Sequence, residues 1–170
     1  MTITHFTVPT EPANEAARLA AVIAYGLDRP GLPSDPELDA IASSAAARFA
    51  TPIVLVSIVT QTQQCFRACI GLDVEATPRS ISFCGHALHA PLPFVIRDTL
   101  RDDRFSGNPL VIGPPNIRFY AGAPLITPDG IAIGTFCVID TRPREFDDAD
   151  AHALTGFAEA VMKRLELLRP

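Results

Sequence analysis

Cys84, His86 and His89 fall within one short segment of this 170-residue chain, its densest gathering of reactive side-chain types. If that segment is helical, His86 and His89 share a face, because residues three apart lie one above the other, and Cys84 points elsewhere. A facing imidazole pair can begin a metal site, and a single histidine can hold haem iron. No Asp, Glu or Cys completes a familiar ligand spacing around the pair. The alternative is two hydrogen-bonded histidines in a pocket wall. The remaining cysteines are Cys65, Cys69 and Cys137. Cys65 and Cys69 sit four apart in a strand-like run, which sets their Cα atoms about 13 Å apart, too far for a disulfide. No CxxC pair occurs, so the spacing does not suggest structural zinc.

Downstream, Arg97, Asp98, Arg101, Asp102, Asp103 and Arg104 alternate in sign. Such a run is ordinarily a solvated, partly ion-paired surface. The functional reading turns Asp98 and Arg104 inward to orient a polar ligand. Arg118, beside Phe119 and Tyr120, offers either a cation next to an aromatic wall or a strand-edge arginine. A Pro- and Gly-rich excursion held between strands is where a small-molecule pocket would be built, here between the sheet and residues 83–119. The candidate ligand contacts are Phe83, Cys84, His86, Asp98, Arg104, Phe105, Arg118 and Tyr120.

Several elements must position these residues. The spacing predicts a helix over 11–26, Ala-rich, with Leu19, Val22 and Ile23 as a narrow apolar stripe. A second helix starts at Asp35, a good N-cap, with Pro36 at the first helical position. Its buried face is Leu38, Ile41, Ala45 and Phe49. Residues 51–60 read as a central strand, returned antiparallel by residues 65–70, and 71–80 as a loop. Ser82 can cap a short helix carrying Cys84 and His86. Residues 94–97 form a short strand, and 108–112 one helical turn. Two runs flanking Pro128-Asp129-Gly130 form a hairpin. The last helix begins near Asp147 and carries Leu154, Phe157, Val161, Leu165 and Leu168 at heptad-like spacing, a row expected to outrun the sheet and, with the stripe of the first helix, to pair with a second copy. This is an α+β chain. Residues 1–33 read as an N-terminal arm and helix, and 34–170 as the main domain including the last helix.

Composition narrows the function classes. Hydrophobic residues make up 48% and charged residues 19%, as in an ordinary globular domain. A net charge of -5 with no Lys/Arg cluster argues against sequence-independent nucleic-acid binding. No apolar run is long enough to span a bilayer, and the N-terminus lacks a signal peptide's basic start and apolar core. A cytoplasmic location with reduced thiols is expected.

The runs 52–57, 71–73, 77–79 and 82–87 (Ser-Phe-Cys-Gly-His-Ala), with 102–105, 108–111, 117–125 and 134–140, resemble a GAF domain, a PAS-like sensory fold. More narrowly, the chain is similar to GAF domains found in front of bacterial diguanylate cyclases and histidine kinases. The resemblance covers about residues 35–147. It implies a central antiparallel sheet of about five to six strands, terminal helices on one face and a ligand pocket on the other. It also implies terminal helices that pair in a homodimer and signal to an effector, here a separate protein. Cys65 stands where similar domains usually carry a Trp, which leaves room for a different ligand or none.

Cys84-Gly85 is similar to the Cys-Gly of free methionine sulfoxide reductases, GAF-fold enzymes whose catalytic Cys lies in the later pocket loop. Residues 102–118 contain no Cys. A redox reaction needs a nucleophilic thiolate beside a resolving thiol, and only Cys84 and Cys137 can meet here. The expected function is therefore a stand-alone sensory domain without catalysis of its own, binding an unidentified small polar molecule. No cofactor is predicted, and haem or bilin is not expected, since the chromophore motifs are absent. The alternatives are a reductase-like redox enzyme, a haem or metal sensor, and a dimerisation module with an empty pocket.

Overall fold

The computed structural model describes residues 5–170. Six strands, β1 (Ile53–Val59), β2 (Gln63–Ile70), β3 (Ala76–Pro78), β4 (Phe94–Ile96), β5 (Phe119–Ile126) and β6 (Ala132–Asp140), form one antiparallel sheet. Their order is β3–β2–β1–β6–β5–β4. Among the described residues five helices cover it: α1 (Glu15–Ala24), α2 (Pro36–Phe49), α3 (Phe83–Ala87), α4 (Pro109–Ile112) and α5 (Asp148–Leu168). Every residue of β1 is buried, because helices α1, α2 and α5 pack on one face and the 83–118 excursion on the other. Side-chain alternation splits the strand accordingly. Val54, Val56 and Ile58 join the helix-side core with Leu38, Phe136 and Leu154, while Ile53, Leu55 and Val59 meet Phe83, Phe105 and Tyr120.

Local chemistry sets the helix starts. Asp35 accepts the Leu38 amide at 3.0 Å, Ser82 the Gly85 amide at 3.1 Å, and Asp147 exchanges capping bonds with Asp150. Asp35 also takes two bonds from Arg164, at 3.0 and 2.7 Å, and so ties α2 to α5. At the other end of the sheet, Arg18 is 1% exposed. It donates to the Val59 carbonyl at 2.6 Å and twice to Glu15 at 2.9 Å. Arg79 joins the same carboxylate and donates to the Thr60 carbonyl at 3.0 Å. One carboxylate thus fastens α1 to the β1–β2 turn and to the segment before α3.

Three expectations are corrected. The first helix starts at Glu15 rather than residue 11, and the residues before it form an arm without regular structure whose Thr7 and Thr10 carbonyls meet His86 and His89. Part of the expected 71–80 loop is β3, which pairs with Gln63, Gln64 and Cys65. The apolar row of α5 is closed within the chain: Leu154, Val161 and Leu165 are buried against α2 and the sheet, and only its end is open, with Leu168 40% and Leu167 77% exposed. That row therefore gives no reason for a second copy. On α1, Val22 is buried on the same core while Ile23 faces out. Among the described residues no helix is long and apolar enough to cross a membrane.

Candidate functional site

Between the excursion and the β1–β2–β5–β6 face lies a cavity of about 220 Å³. Strand residues Leu55, Phe66, Tyr120 and Ile139 make its floor, and Phe83 and Cys84 of α3 make a wall. The half-buried Leu72 and the exposed Val74 and Pro114 mark its mouth, and Leu110, Pro115 and Ile117 complete the lining. Gln64 and Thr77 supply the polar edge, and they are already partnered, with the Gln64 amide donating to Thr77 Oγ1 at 2.6 Å. No charged side chain lines it among the described residues. This is an apolar cavity.

Cys84 sits where that wall meets the sheet. Thr135 donates to its sulfur at 3.0 Å and Tyr120 at 3.3 Å, and Cys137 and Ser57, whose hydroxyl donates to Gln64 Oε1, are its further polar neighbours. Burial pushes the thiol up, but the neighbouring Cys137, Thr135, Tyr120 and Ser57 side chains outweigh it and bring its pKa down to about 6. Burial and the neighbouring thiolate hold Cys137 and Tyr120 well above their ordinary values, so both stay protonated donors. Tyr120 reaches Cys84 because Gly122, two residues along β5, has no Cβ. A methyl there would collide with the phenol ring and hydroxyl.

The sequence-derived contacts divide sharply. Phe83, Cys84 and Tyr120 line the cavity. Phe105 is fully buried behind it, stacked on Phe83 at 4.5 Å between centroids. His86 packs edge-on against Phe105 at 4.8 Å and meets the Thr7 carbonyl at 3.1 Å, while His89 meets the Thr10 carbonyl at 2.9 Å. The facing histidine pair clasps the N-terminal arm. Among the described residues no group of three or more His, Cys, Asp or Glu could hold a metal ion. Burial lowers the His86 pKa, which keeps the ring neutral there.

The three charged candidates lie away from the cavity. Arg104 grips Asp102 at 2.9 and 2.7 Å and lies over the Phe94 ring at 5.2 Å. Asp98 caps the turn Thr99–Arg101 through the Leu100 amide and lines a wide, charged surface depression. Arg118 donates to the Val111 and Ile117 carbonyls at 2.8 and 3.1 Å, bracing the excursion. Cys65 pairs with Ile58, whose side chain is on the helix side, so it faces away from the cavity and does not shape its ligand. Leu55, Phe66, Leu72 and the Pro114–Ile117 wall were not legible as contacts. A run as uniformly apolar as β1 does not say which of its two faces meets a cavity.

A GAF-domain family profile matches residues 20–165. The chain belongs to the GAF family. This GAF domain is 44% identical over 162 residues to a cyclic di-GMP phosphodiesterase of Pseudomonas aeruginosa, a match covering 95% of the chain and 27% of that protein. The chain thus spans about a quarter of the relative's length. Among solved structures, the GAF domain of an Acinetobacter phosphoenolpyruvate-protein phosphotransferase superposes with a TM-score of 0.65 at 14% identity, over 91% of this chain and 94% of that one. A free methionine-R-sulfoxide reductase of Neisseria meningitidis, solved with its substrate, superposes with a TM-score of 0.61 at 20% identity, over 99% and 98%. At such identities these likenesses show the fold alone.

Proposed function

We propose that this GAF domain is a cytoplasmic sensory module that binds a small, largely apolar molecule in the cavity beneath α3. It does so without turning a substrate over, and it passes occupancy through α1 and α5 to a cyclic-dinucleotide signalling output like that of its Pseudomonas relative. The carrying observation is the cavity. A 150 Å³ hole lined by Leu, Ile and Phe is enough to take benzene, and this one measures about 220 Å³ with a similar lining. The polar ligand suggested by the charge alternation fits poorly, because Asp98, Arg104 and Arg118 are engaged elsewhere. Binding would act by favouring one arrangement of the excursion over another.

The test is native mass spectrometry and calorimetry with small aromatic probes such as indole. Wild type should bind, and Leu72→Trp, which fills the mouth, should lose at least about tenfold in affinity. Equal binding by the filled variant would reject the cavity as the site.

A further inference from the structure

We propose that Cys84 and Cys137 are a two-cysteine redox pair through which the domain senses an organic hydroperoxide admitted to the apolar cavity. The inference rests on the reading of that cavity as the ligand site and assigns its ligand a chemical class. Two independent observations carry it. The first is the pair itself: Cys84 on α3 and Cys137 on β6 are free thiols buried in one cluster, where α3 packs on β6 and Thr135, two residues before Cys137, donates to the Cys84 sulfur. The second is the cavity, whose lining includes Cys84 but not Cys137. A molecule entering from the mouth meets one sulfur, and the other waits behind it.

The surroundings select the oxidant. With the lining apolar and both sulfurs out of bulk water, a peroxide carrying a hydrocarbon body gains from burial, whereas hydrogen peroxide does not. Cys84 attacks the terminal oxygen of the hydroperoxide, the O–O bond breaks, and the alcohol leaves with the proton relayed from the thiol through the Tyr120 or Thr135 hydroxyl. Cys84 is then a sulfenic acid. Cys137 attacks it, a disulfide forms and water leaves, so two thiols are oxidised as one hydroperoxide is reduced to an alcohol and water. The hydrogen bonds that lower the Cys84 pKa favour its thiolate as the attacking group, with Cys137 held protonated until the second step. Return to thiols requires an external dithiol, which is itself oxidised as it reduces the bond, so the oxidised state lasts until such a dithiol reaches it. The resulting bond would tie α3 to the centre of the sheet and draw on the wall that carries His86 and the arm.

Purified reduced protein treated with cumene hydroperoxide, then denatured and alkylated, should yield a peptide pair joined through Cys84 and Cys137. Cys137→Ser should instead accumulate a dimedone-trappable sulfenic acid at Cys84, and Cys84→Ser should leave Cys137 a thiol. Cumene hydroperoxide should react at least about tenfold faster than hydrogen peroxide, and Leu72→Trp should erase that preference. Oxidation confined to the half-buried Cys69, or equal rates for the two peroxides, would overturn the proposal. Binding of cumyl alcohol is measured separately on the unreactive Cys84→Ser, Cys137→Ser protein, with Cys84→Ala in its place should the serine variant not fold. Binding there without oxidation of wild type rejects the redox pair and leaves the ligand site standing, whereas no binding rejects the ligand site itself.

Discussion

At the scale of single residues, the charges that matter most are the ones that fasten elements together. Glu15 serves Arg18 and Arg79 at once, and its pKa is lowered from 4.5 to about 2, chiefly by the Arg18 bonds. Asp35 is lowered from 3.8 to about 2, first by Arg164 and then by its cap on Leu38. Both folded values lie below the unfolded ones. Their stabilisation is therefore complete above about pH 4.5 and is lost as pH falls toward 2. Urea midpoints measured from pH 6 to pH 2.5 should fall across that window, and the fall should shrink in Glu15→Gln. Glu15→Ala should cost about 3 kcal/mol at pH 7, since it leaves two buried guanidinium groups without their carboxylate. At the cavity, free methionine sulfoxide should not be turned over with a thiol reductant. It is a zwitterion, and among the described residues no charged group lines the space to receive its ends. Turnover abolished by Cys84→Ser would contradict this.

At the scale of elements, the arm before α1 braces the segments that form the site's wall. Its Thr7 amide donates to the Arg104 carbonyl at 2.9 Å, and His86 and His89 hold its carbonyls three residues apart. The arm lies so close to the excursion that a Cβ on Gly107 would collide with the backbone of His5. Gly107→Ala should therefore loosen the arm, costing about 1–3 kcal/mol. Hydrogen exchange should rise over residues 5–10 and α3 while β1 and β6 keep their protection. Unchanged exchange in the arm would show that the contact yields without consequence.

At the scale of the whole molecule, the closed stripe of α5 removes one argument for the expected homodimer. Val161 and Leu165 are core residues, so Val161→Glu, Leu165→Glu should unfold the domain rather than split a dimer. What terminal pairing could still use is the open end where α1 and α5 meet, with Ile23 and Leu167 exposed beside the Tyr25–Glu166 hydrogen bond. A homodimer through these helices predicts a dimeric mass by light scattering, reduced to monomer in Ile23→Glu, Leu167→Glu with the melting temperature unchanged. A monomeric wild type at high micromolar concentration would remove the pairing.

Much of this architecture was legible in the chain because its causes are local. Asp35-Pro36, Ser82 and Asp147 start helices through bonds to their own neighbours, and Pro128-Asp129-Gly130 turns a hairpin by its backbone preferences. Cys84, Phe83 and Tyr120 were found as cavity residues because the excursion they flank had to stand off the sheet. The remaining choices were made between distant segments. Which face of β1 meets the cavity depends on register against β2 and β6, with a bulge at Val56–Ser57 setting which β2 residues oppose it. Whether Arg104, Asp98 and Arg118 turn inward depends on carboxylate and carbonyl partners supplied by their folded surroundings. Whether Cys84 meets Cys137 depends on α3 settling over the middle of β6, across 53 residues of chain. Charge and spacing are written locally, but burial is a property of what lands on top, and only the tertiary structure decides that.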